Sequence, residues 1–183
     1  MPLAPDHQLP LPLPALAREL YFRKGAYVYR PADRMESVFI LRSGTVKIGG
    51  YDPEGREVVY DTAGPGDFFG NLKYLGNSDG FQEFVRTLTP VTVQVFDLRQ
   101  FKQLLTTHSR VHEWFARLMV RRWARAEARL FRISAHSPAE RLRLVLAEIG
   151  GETEDPRGLL TQSDLAGLTG LTRQTVARLL RQM

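Results

Sequence analysis

Three polar side chains near the C-terminal end of the chain have the types and the spacing that can read DNA bases. Arg173, Gln174 and Arg178 fall on one face of a short predicted helix. Arg and Gln form paired hydrogen bonds with guanine and adenine edges in the major groove. The apolar stripe of the same helix, which would face the protein, consists of Val176, Leu179 and Leu180. The pattern therefore predicts direct contact with base pairs.

A second short helix precedes this one across a predicted turn. Its N-cap, its first-turn carboxylate and its apolar positions are Thr161, Asp164, Leu165 and Leu168. Gly170 breaks this helix, Thr172 caps the next one, and Ala166 is small enough for the two helices to meet closely. The pair predicts a helix-turn-helix that binds DNA, and the alternative is an ordinary helical hairpin with a solvated polar face.

The side chains predicted to contact DNA are Gln162, Thr172, Arg173, Gln174, Thr175, Arg178 and Arg181. Arg173 and Arg178 would read guanine. Thr172, Thr175 and Gln162 would anchor phosphates and set the register of the helix on the duplex.

Charge is distributed unevenly along the chain. Residues 1–107 carry 12 basic and 12 acidic side chains, whereas residues 108–183 carry 13 basic and 8 acidic ones, which accounts for the net charge of +5. Every basic residue of the second part is Arg, which favours forked contacts with phosphate or guanine. The asymmetry indicates a polyanionic partner.

The composition excludes several classes of protein. The chain contains no cysteine, which excludes disulfides, iron–sulfur clusters and thiolate zinc sites. No apolar run approaches the ~20 residues that a membrane helix needs. Residues 1–19 lack the features of a signal peptide and are predicted to form an extended arm, because Leu and Pro alternate at residues 9–14. We expect a cytoplasmic protein without membrane association.

Residues 20–107 have the pattern of short strands between glycine turns. The predicted strands, rich in β-branched and aromatic residues, are 27–29, 37–41, 45–48, 57–60 and 91–96. Turn signals separate them at 24–25, 43–44, 52–55 and 64–67. The even spacing predicts a small antiparallel barrel or sandwich.

Residues 108–136 are predicted to form one long helix, since 108–133 contain neither Gly nor Pro. Apolar residues at alternating spacings of three and four form a coiled-coil seam at Ala116, Met119, Trp123, Ala126, Leu130 and Ile133. The seam predicts a homodimer, and packing against the chain's own barrel is the alternative. The apolar set that could meet the barrel is Val111, Trp114, Phe115 and Leu118. A stripe that we expect to be solvated consists of Arg117, Arg121, Arg125, Arg129 and Arg132.

Ser137 to Glu140 has the pattern of a capping box with proline at the first helical position. It predicts a helix from Glu140 to Ile149 and opens a DNA-binding domain at 137–183. The order of units is therefore arm, barrel, long helix and DNA-binding domain, which places the chain in the α+β class.

This order resembles the bacterial cyclic-AMP receptor protein and fumarate-nitrate reductase regulator family, the CRP/FNR family, from about residue 20 to the end. The resemblance lies in the helix-turn-helix and in the turns at 24–25, 43–44, 52–57 and 66–70. It implies an antiparallel β-roll of jelly-roll type, a long dimerisation helix, and two reading helices one DNA turn apart on a two-fold symmetric site. Family members normally continue into a β-hairpin wing. This sequence ends at Met183, so we expect either a wing further on in the natural protein or a truncated module.

The chain departs from the nucleotide-binding branch of that family at the phosphate anchors. The resemblance implies a carboxylate after Gly70 and, further on, an Arg-Ser pair, but these positions hold Asn71 and Phe81-Gln82. Phe81 cannot neutralise a phosphate, so we expect weak or no binding of cyclic AMP, with another effector or none. The alternative is that Arg86 supplies the missing positive charge from another position. The predicted effector pocket comprises Phe69, Gly70, Asn71, Leu72, Phe81, Gln82 and Arg86.

No cofactor or metal is predicted. His108 and His112 are four residues apart, but two ligands do not make a metal site, and haem would have to bind through the proline-rich arm. The reading helix also departs from the cyclic-AMP receptor branch, which has Glu at the position of Gln174. Glu accepts from cytosine whereas Gln suits adenine, so we expect a different half-site.

The leading hypothesis is a dimeric, sequence-specific transcription regulator without catalytic activity. Its expected partners are double-stranded DNA and a second copy of the chain, with RNA polymerase as a further candidate. The alternative is a ligand-sensing β-roll that acts mainly through a protein interaction, with weak or lost DNA binding. An enzyme is not expected, because the sequence shows no Ser-His-Asp set, phosphate loop or metal cluster.

Overall fold

A computed structural model describes residues 10, 12–31, 33, 36–70, 83–150 and 156–183. The strands in these residues are β1 (Arg18–Phe22), β2 (Tyr27–Tyr29), β3 (Ser37–Ser43), β4 (Val46–Tyr51), β5 (Glu57–Ala63), β6 (Phe68–Gly70), β7 (Phe84–Thr87) and β8 (Val91–Asp97). The helices are α1 (Leu13–Leu16), α2 (Leu98–Thr107), α3 (Ser109–Ala135), α4 (Pro138–Gly150), α5 (Pro156–Leu159), α6 (Gln162–Thr169) and α7 (Arg173–Gln182). None of these described helices is long and apolar enough to cross a membrane.

The strands form two antiparallel sheets, in the orders β1-β8-β3-β6 and β2-β7-β4-β5. Alternate side chains of β8, such as Val93 and Val95, enter the core between the sheets. In the same core the rings of Phe39 and Phe69 stack with their centroids 5.5 Å apart. The two sheets confirm the predicted antiparallel roll, and β1, β6 and β7 are strands that the sequence pattern did not reveal.

The prediction that residues 1–19 form an extended arm without helix is wrong at its end. Leu13–Leu16 forms one helical turn, and Leu13 is fully buried beside α2 and α3. Proline is compatible with this turn because its first positions need no backbone donor. Strand β1 then begins at Arg18, so the roll starts two residues before the predicted boundary at residue 20.

The first half of α3 packs on the roll through apolar side chains. Val111, Trp114 and Leu118 are buried in one cluster with Phe96 and Phe101, as the sequence predicted for this set. Phe115 is half-buried and its ring lies 5.4 Å from that of Phe68. The contact fixes the direction of the long helix relative to the sheets.

The second half of α3 is held by arginines instead. Arg125 forms two hydrogen bonds with the carboxylate of Asp67, at 2.7 and 2.9 Å. Arg129 pairs with Asp61 at 2.7 Å and also donates to the carbonyl oxygen of Tyr60. Arg132 pairs in turn with α4 through Glu148 at 2.9 Å. The expectation of a solvated stripe is therefore wrong for these three residues, because their partners lie far away in the sequence.

Helices α4 to α7 form a domain that packs on the sheet containing β4, β5 and β7. Along β7, Val85 faces the roll core while the neighbouring Phe84 faces the helices, as the alternation of a strand requires. The shared cluster joins roll residues Val59, Phe84 and Leu88 to Leu142, Val145, Leu146, Leu165, Leu168, Val176 and Leu179. The helical domain is thus docked on the roll through a common core.

Candidate nucleic-acid interface

The predicted N-cap Thr161 opens α6, and together with Asp164 it forms a capping box. The side chain of Thr161 accepts a hydrogen bond from the backbone N–H of Asp164 at 3.1 Å. The Oδ2 atom of Asp164 accepts from the backbone N–H of Thr161 at 3.0 Å. Both donors would otherwise lack a partner within the helix, so the two bonds fix the start of α6.

The turn between α6 and α7 depends on Gly170. Its φ angle of +65° is left-handed, a conformation that glycine adopts without steric cost. The N–H of Leu171 then donates to the carbonyl oxygen of Ala166 at 3.0 Å, which closes the end of α6. Ala166 is itself buried, in agreement with the close approach of the two helices predicted there.

The start of α7 is fixed by two threonines. Thr172 caps the helix by accepting from the N–H of Thr175 at 3.1 Å, and the two hydroxyl groups lie 2.9 Å apart. Val176 and Leu179 are buried against the rest of the domain, and Leu180 is half-buried. The predicted apolar stripe therefore sets which face of α7 points away from the protein.

That outer face carries the predicted base-reading side chains. Arg173, Gln174, Arg178 and Arg181 are all exposed. At the N-terminal end of α7, an open concavity of about 550 Å³ is lined by Gln162, Thr172, Arg173, Gln174 and Ala177. The structure thus brings the predicted phosphate-anchoring residues Gln162 and Thr172 beside the predicted base-reading residues Arg173 and Gln174, around this concavity.

The seam of α3 is an exposed apolar surface. Trp123 is 69% exposed and Leu130 is 66% exposed, although both are large hydrophobic residues. Met119 is likewise exposed, as are Ala116 and Ala126. Two further large apolar residues of this helix, which the sequence pattern did not assign to the seam, are also exposed: Val120 and Phe131. Ile133 differs, since it is half-buried and approaches Gly170 of its own helix-turn-helix.

Comparison with known proteins covers nearly the whole chain. The model of the cyclic nucleotide-binding domain family matches residues 19–108. The CRP-like cAMP-activated global transcriptional regulator of Mycobacterium tuberculosis is 26% identical over 181 residues, which cover 93% of this chain and 80% of the relative. The cyclic AMP receptor protein of Thermus thermophilus is 25% identical over 186 residues, covering 99% and 82%. The chain belongs to the CRP/FNR family of transcription regulators.

Solved structures agree on the fold. The c-di-GMP responsive global regulator CLP of Xanthomonas campestris superposes with a TM-score of 0.74 at 22% identity, covering 92% of this chain and 86% of that one. FixK2 of Bradyrhizobium japonicum superposes with a TM-score of 0.71 at 20% identity, covering 91% and 83%. The predicted family and the predicted fold class are confirmed. CRP/FNR proteins are regulators and not enzymes, in line with the expectation from the sequence.

The predicted effector pocket of this CRP/FNR regulator is described only in part. Asn71, Leu72, Phe81 and Gln82 lie outside the described residues. Phe69 and Gly70 are buried at the edge of the roll core. Arg86 shares the face of β7 that carries Phe84, and its Nε donates to the carbonyl oxygen of Gly25 at 3.0 Å. Arg86 therefore points away from the roll core, and its place in the effector pocket stays a prediction.

The roll contains a polar cluster, formed by Glu83, Tyr29 and Tyr60, that the sequence pattern did not reveal. Glu83 is 3% exposed, and its two carboxylate oxygens accept hydrogen bonds from Tyr29 at 2.6 Å and from Tyr60 at 2.7 Å. Burial and the adjacent Glu83 carboxylate raise the pKa of both tyrosines above the ordinary value, so both remain hydrogen-bond donors. A glutamate beside a short apolar strand gives no sign in the sequence that it is buried.

Proposed function

We propose that this CRP/FNR regulator binds a specific, two-fold symmetric DNA site as a homodimer, with α7 in the major groove. The observation that carries the proposal is the exposed row of Arg173, Gln174 and Arg178 on a helix whose opposite face is locked by Val176 and Leu179. Such a helix can enter a groove without losing its own packing. The Arg surplus of residues 108–183 adds favourable charge for a polyanion.

Each polar residue of the reading helix has a proposed role. Arg173 and Arg178 form paired hydrogen bonds with guanine, and Gln174 pairs with adenine. Thr172, Thr175 and Gln162 hold phosphates at the start of the helix, with Arg181 adding a basic contact further along. The hydroxyl groups of Thr172 and Thr175 support this role. When one hydroxyl donates its hydrogen bond to the other, the accepting hydroxyl can still donate its own proton to a phosphate oxygen.

The proposed dimer forms along α3. Trp123, Met119 and Leu130 are large apolar side chains on one exposed surface, and monomers rarely leave such a surface open to water. Ala116 and Ala126 allow the two helices to approach each other. The exposed residues Val120 and Phe131 widen the proposed contact, whereas Ile133 lies at its edge because part of its surface is used within the chain.

The effector is proposed to be a molecule other than cyclic AMP, or none. Two relatives carry cyclic AMP in their names, but this does not identify the effector of this chain. The chain carries Asn71, Phe81 and Gln82 where the phosphate anchors are expected.

Selection of bound sequences from a random DNA pool tests the proposed function, and it is repeated at two salt concentrations. The expected result is a two-fold symmetric motif whose enrichment survives higher salt. A double substitution, Arg173→Ala with Arg178→Ala, is expected to abolish the motif. The matched control, Arg110→Ala with Arg143→Ala, removes the same charge from exposed positions outside α7 and is expected to retain it. No enrichment with the unaltered protein would contradict the proposal and favour an interaction module.

A further inference from the structure

The helix-turn-helix packs on the β4–β5 hairpin, and the backbones of α6 and β5 are in close contact. Gly167, in the middle of α6, lies against the backbone of Val59 in β5. A Cβ atom at Gly167 would overlap the carbonyl oxygen of Val59, a backbone atom that cannot move aside alone. Glycine inside a helix is otherwise unfavourable relative to alanine. Its presence here is explained by the contact with β5.

A buried ion pair joins the same two elements. The Nζ atom of Lys47, on β4, lies 2.8 Å from Oδ1 of Asp164 on α6. The two side chains are only 8% and 6% exposed. The other oxygen of Asp164 closes the capping box with Thr161. One carboxylate therefore both fixes the start of α6 and attaches it to the roll.

The ion pair continues into the roll through a second carboxylate. Lys47 lies 3.6 Å from Glu57, which in turn accepts a hydrogen bond from the hydroxyl of Tyr27. Burial and the bond to Glu57 raise the pKa of Tyr27 to about 12, so the hydroxyl remains a donor at neutral pH. Glu57 of β5, held in turn by Tyr27 of β2, thus fixes Lys47 of β4 beneath α6. The ion pair between Lys47 and Asp164 restricts the orientation of α6 on the roll more than apolar contact alone would, because apolar contact has no directional preference.

The docking surface and the reading surface do not overlap. Asp164 and Gly167 face the roll, whereas Gln162 and the exposed residues of α7, such as Arg173 and Arg178, face away from it. Docking therefore leaves the DNA-binding face open. Its effect is to fix the direction in which α7 points relative to the roll and to α3.

We propose that Lys47 and Gly167 are positioning residues for DNA recognition, which fix the helix-turn-helix on the roll and thereby the separation of the two reading helices in the dimer. The inference rests on the proposed function. A dimer with fixed reading helices binds both half-sites only at one spacing, whereas a dimer with loosened helices tolerates several spacings and binds each less tightly.

The test measures the affinity of the full chain for the selected symmetric site and for versions with one or two base pairs inserted between the half-sites. The unaltered protein is expected to lose about tenfold or more in affinity when two base pairs are inserted, because half-sites then lie off their helical register. Lys47→Met and Gly167→Ala are each expected to weaken binding to the native spacing about tenfold and to reduce the penalty for insertion to about threefold or less. Affinity for a single half-site stays unchanged.

Two further variants control for charge and for folding. Arg56→Met removes one positive charge from the same hairpin, where Arg56 pairs with Asp52 at the exposed tip, and it should retain the steep dependence on spacing. Lys47→Arg retains the positive charge and should restore most of that dependence. Asp164→Asn keeps an oxygen for the capping box while removing the ion pair, so it replaces Lys47→Met if that variant does not fold.

The outcomes separate the two proposals. If the unaltered protein selects no DNA sequence, the proposed function fails and the positioning role fails with it. If the unaltered protein binds its site and both Lys47→Met and Gly167→Ala keep the steep dependence on spacing, only the positioning role is overturned. A lowered melting temperature with an unchanged spacing profile counts against it, since that is the result of a merely structural role.

Discussion

The reading helix and the interior of the β-roll hold their polar side chains in opposite ways. On α7, Arg173, Gln174 and Arg178 are exposed, and Arg178 donates a long hydrogen bond of 3.4 Å to the side-chain oxygen of Gln182. In the roll, Glu83 is buried and accepts from two tyrosines at 2.6 and 2.7 Å. Polar groups that stabilise the fold are thus separated from polar groups that can bind a partner. Substitutions in the two regions should therefore change different measurements.

The largest expected effect on folding follows from Glu83→Leu. The change removes the carboxylate that accepts from Tyr29 and Tyr60, and each hydrogen bond to a charged acceptor contributes about 1.5–3 kcal/mol. We expect the free energy of unfolding in urea to fall by about 2–5 kcal/mol, with an unchanged DNA motif. Glu83→Gln keeps one acceptor oxygen and should cost less. A Glu83→Leu protein as stable as the unaltered one would show that the cluster does not hold the roll together.

A charge introduced into the α3 seam tests the proposed dimer contact, which lies on neither the reading helix nor the interior of the roll. Trp123→Glu places a carboxylate in the proposed dimer contact, and sedimentation equilibrium should show the dimer dissociation constant rising about 100-fold, equivalent to about 2.7 kcal/mol. The fold of the single chain should be unaffected because Trp123 is 69% exposed. Ala128→Glu introduces the same charge at an exposed position outside the seam and should leave the dimer intact. Equal dimer stability for both variants would contradict the seam.

Arg178→Ala gives the corresponding result on the reading surface. Loss of a paired contact with guanine should weaken specific binding by about 1–3 kcal/mol and relax one position of the motif. The free energy of unfolding should change little, since the side chain is exposed. A fluorescence titration with the selected site and with each single-base variant measures both effects. An equal loss on every sequence would mean that Arg178 contacts only phosphate.

The smallest expected effect concerns the start of α4. Hydrogen bonds from Ser137 hold the pKa of Glu140 below its usual range. The folded state thus favours the ionised carboxylate, and the resulting stability is present above the unfolded pKa and is lost as pH falls through the folded pKa. Ser137→Ala should destabilise the protein at pH 7 but progressively less in acid. A difference in unfolding free energy that stays constant with pH would contradict this capping role.

The helix-turn-helix could be predicted in detail because its determinants are local. Thr161 and Asp164, Gly170, and Thr172 and Thr175 act over three or four residues, so their chemistry is readable along the chain. The apolar half of α3 was predictable for the same reason. Short strands such as β6 were not, because three residues are too few to show alternation.

Contacts between distant segments could not be predicted. Arg125 and Arg129 resemble a solvated stripe until Asp67 and Asp61 are brought against them by the fold. Gly167 has the same character, since only the approach of β5 explains a glycine inside α6. Long-range partners decide whether a charge or a glycine is structural, and one sequence does not reveal them.

The most direct test of the account is the base preference of the Gln174→Glu protein. If α7 reads base edges, selection from a random pool should replace adenine by cytosine at one symmetric pair of positions and leave the other positions unchanged, because glutamate accepts from the cytosine amino group. Gln182→Glu, which adds the same charge at the exposed end of α7, should keep the original motif. An identical motif for the Gln174→Glu and unaltered proteins would contradict the claim that this face of α7 reads the sequence.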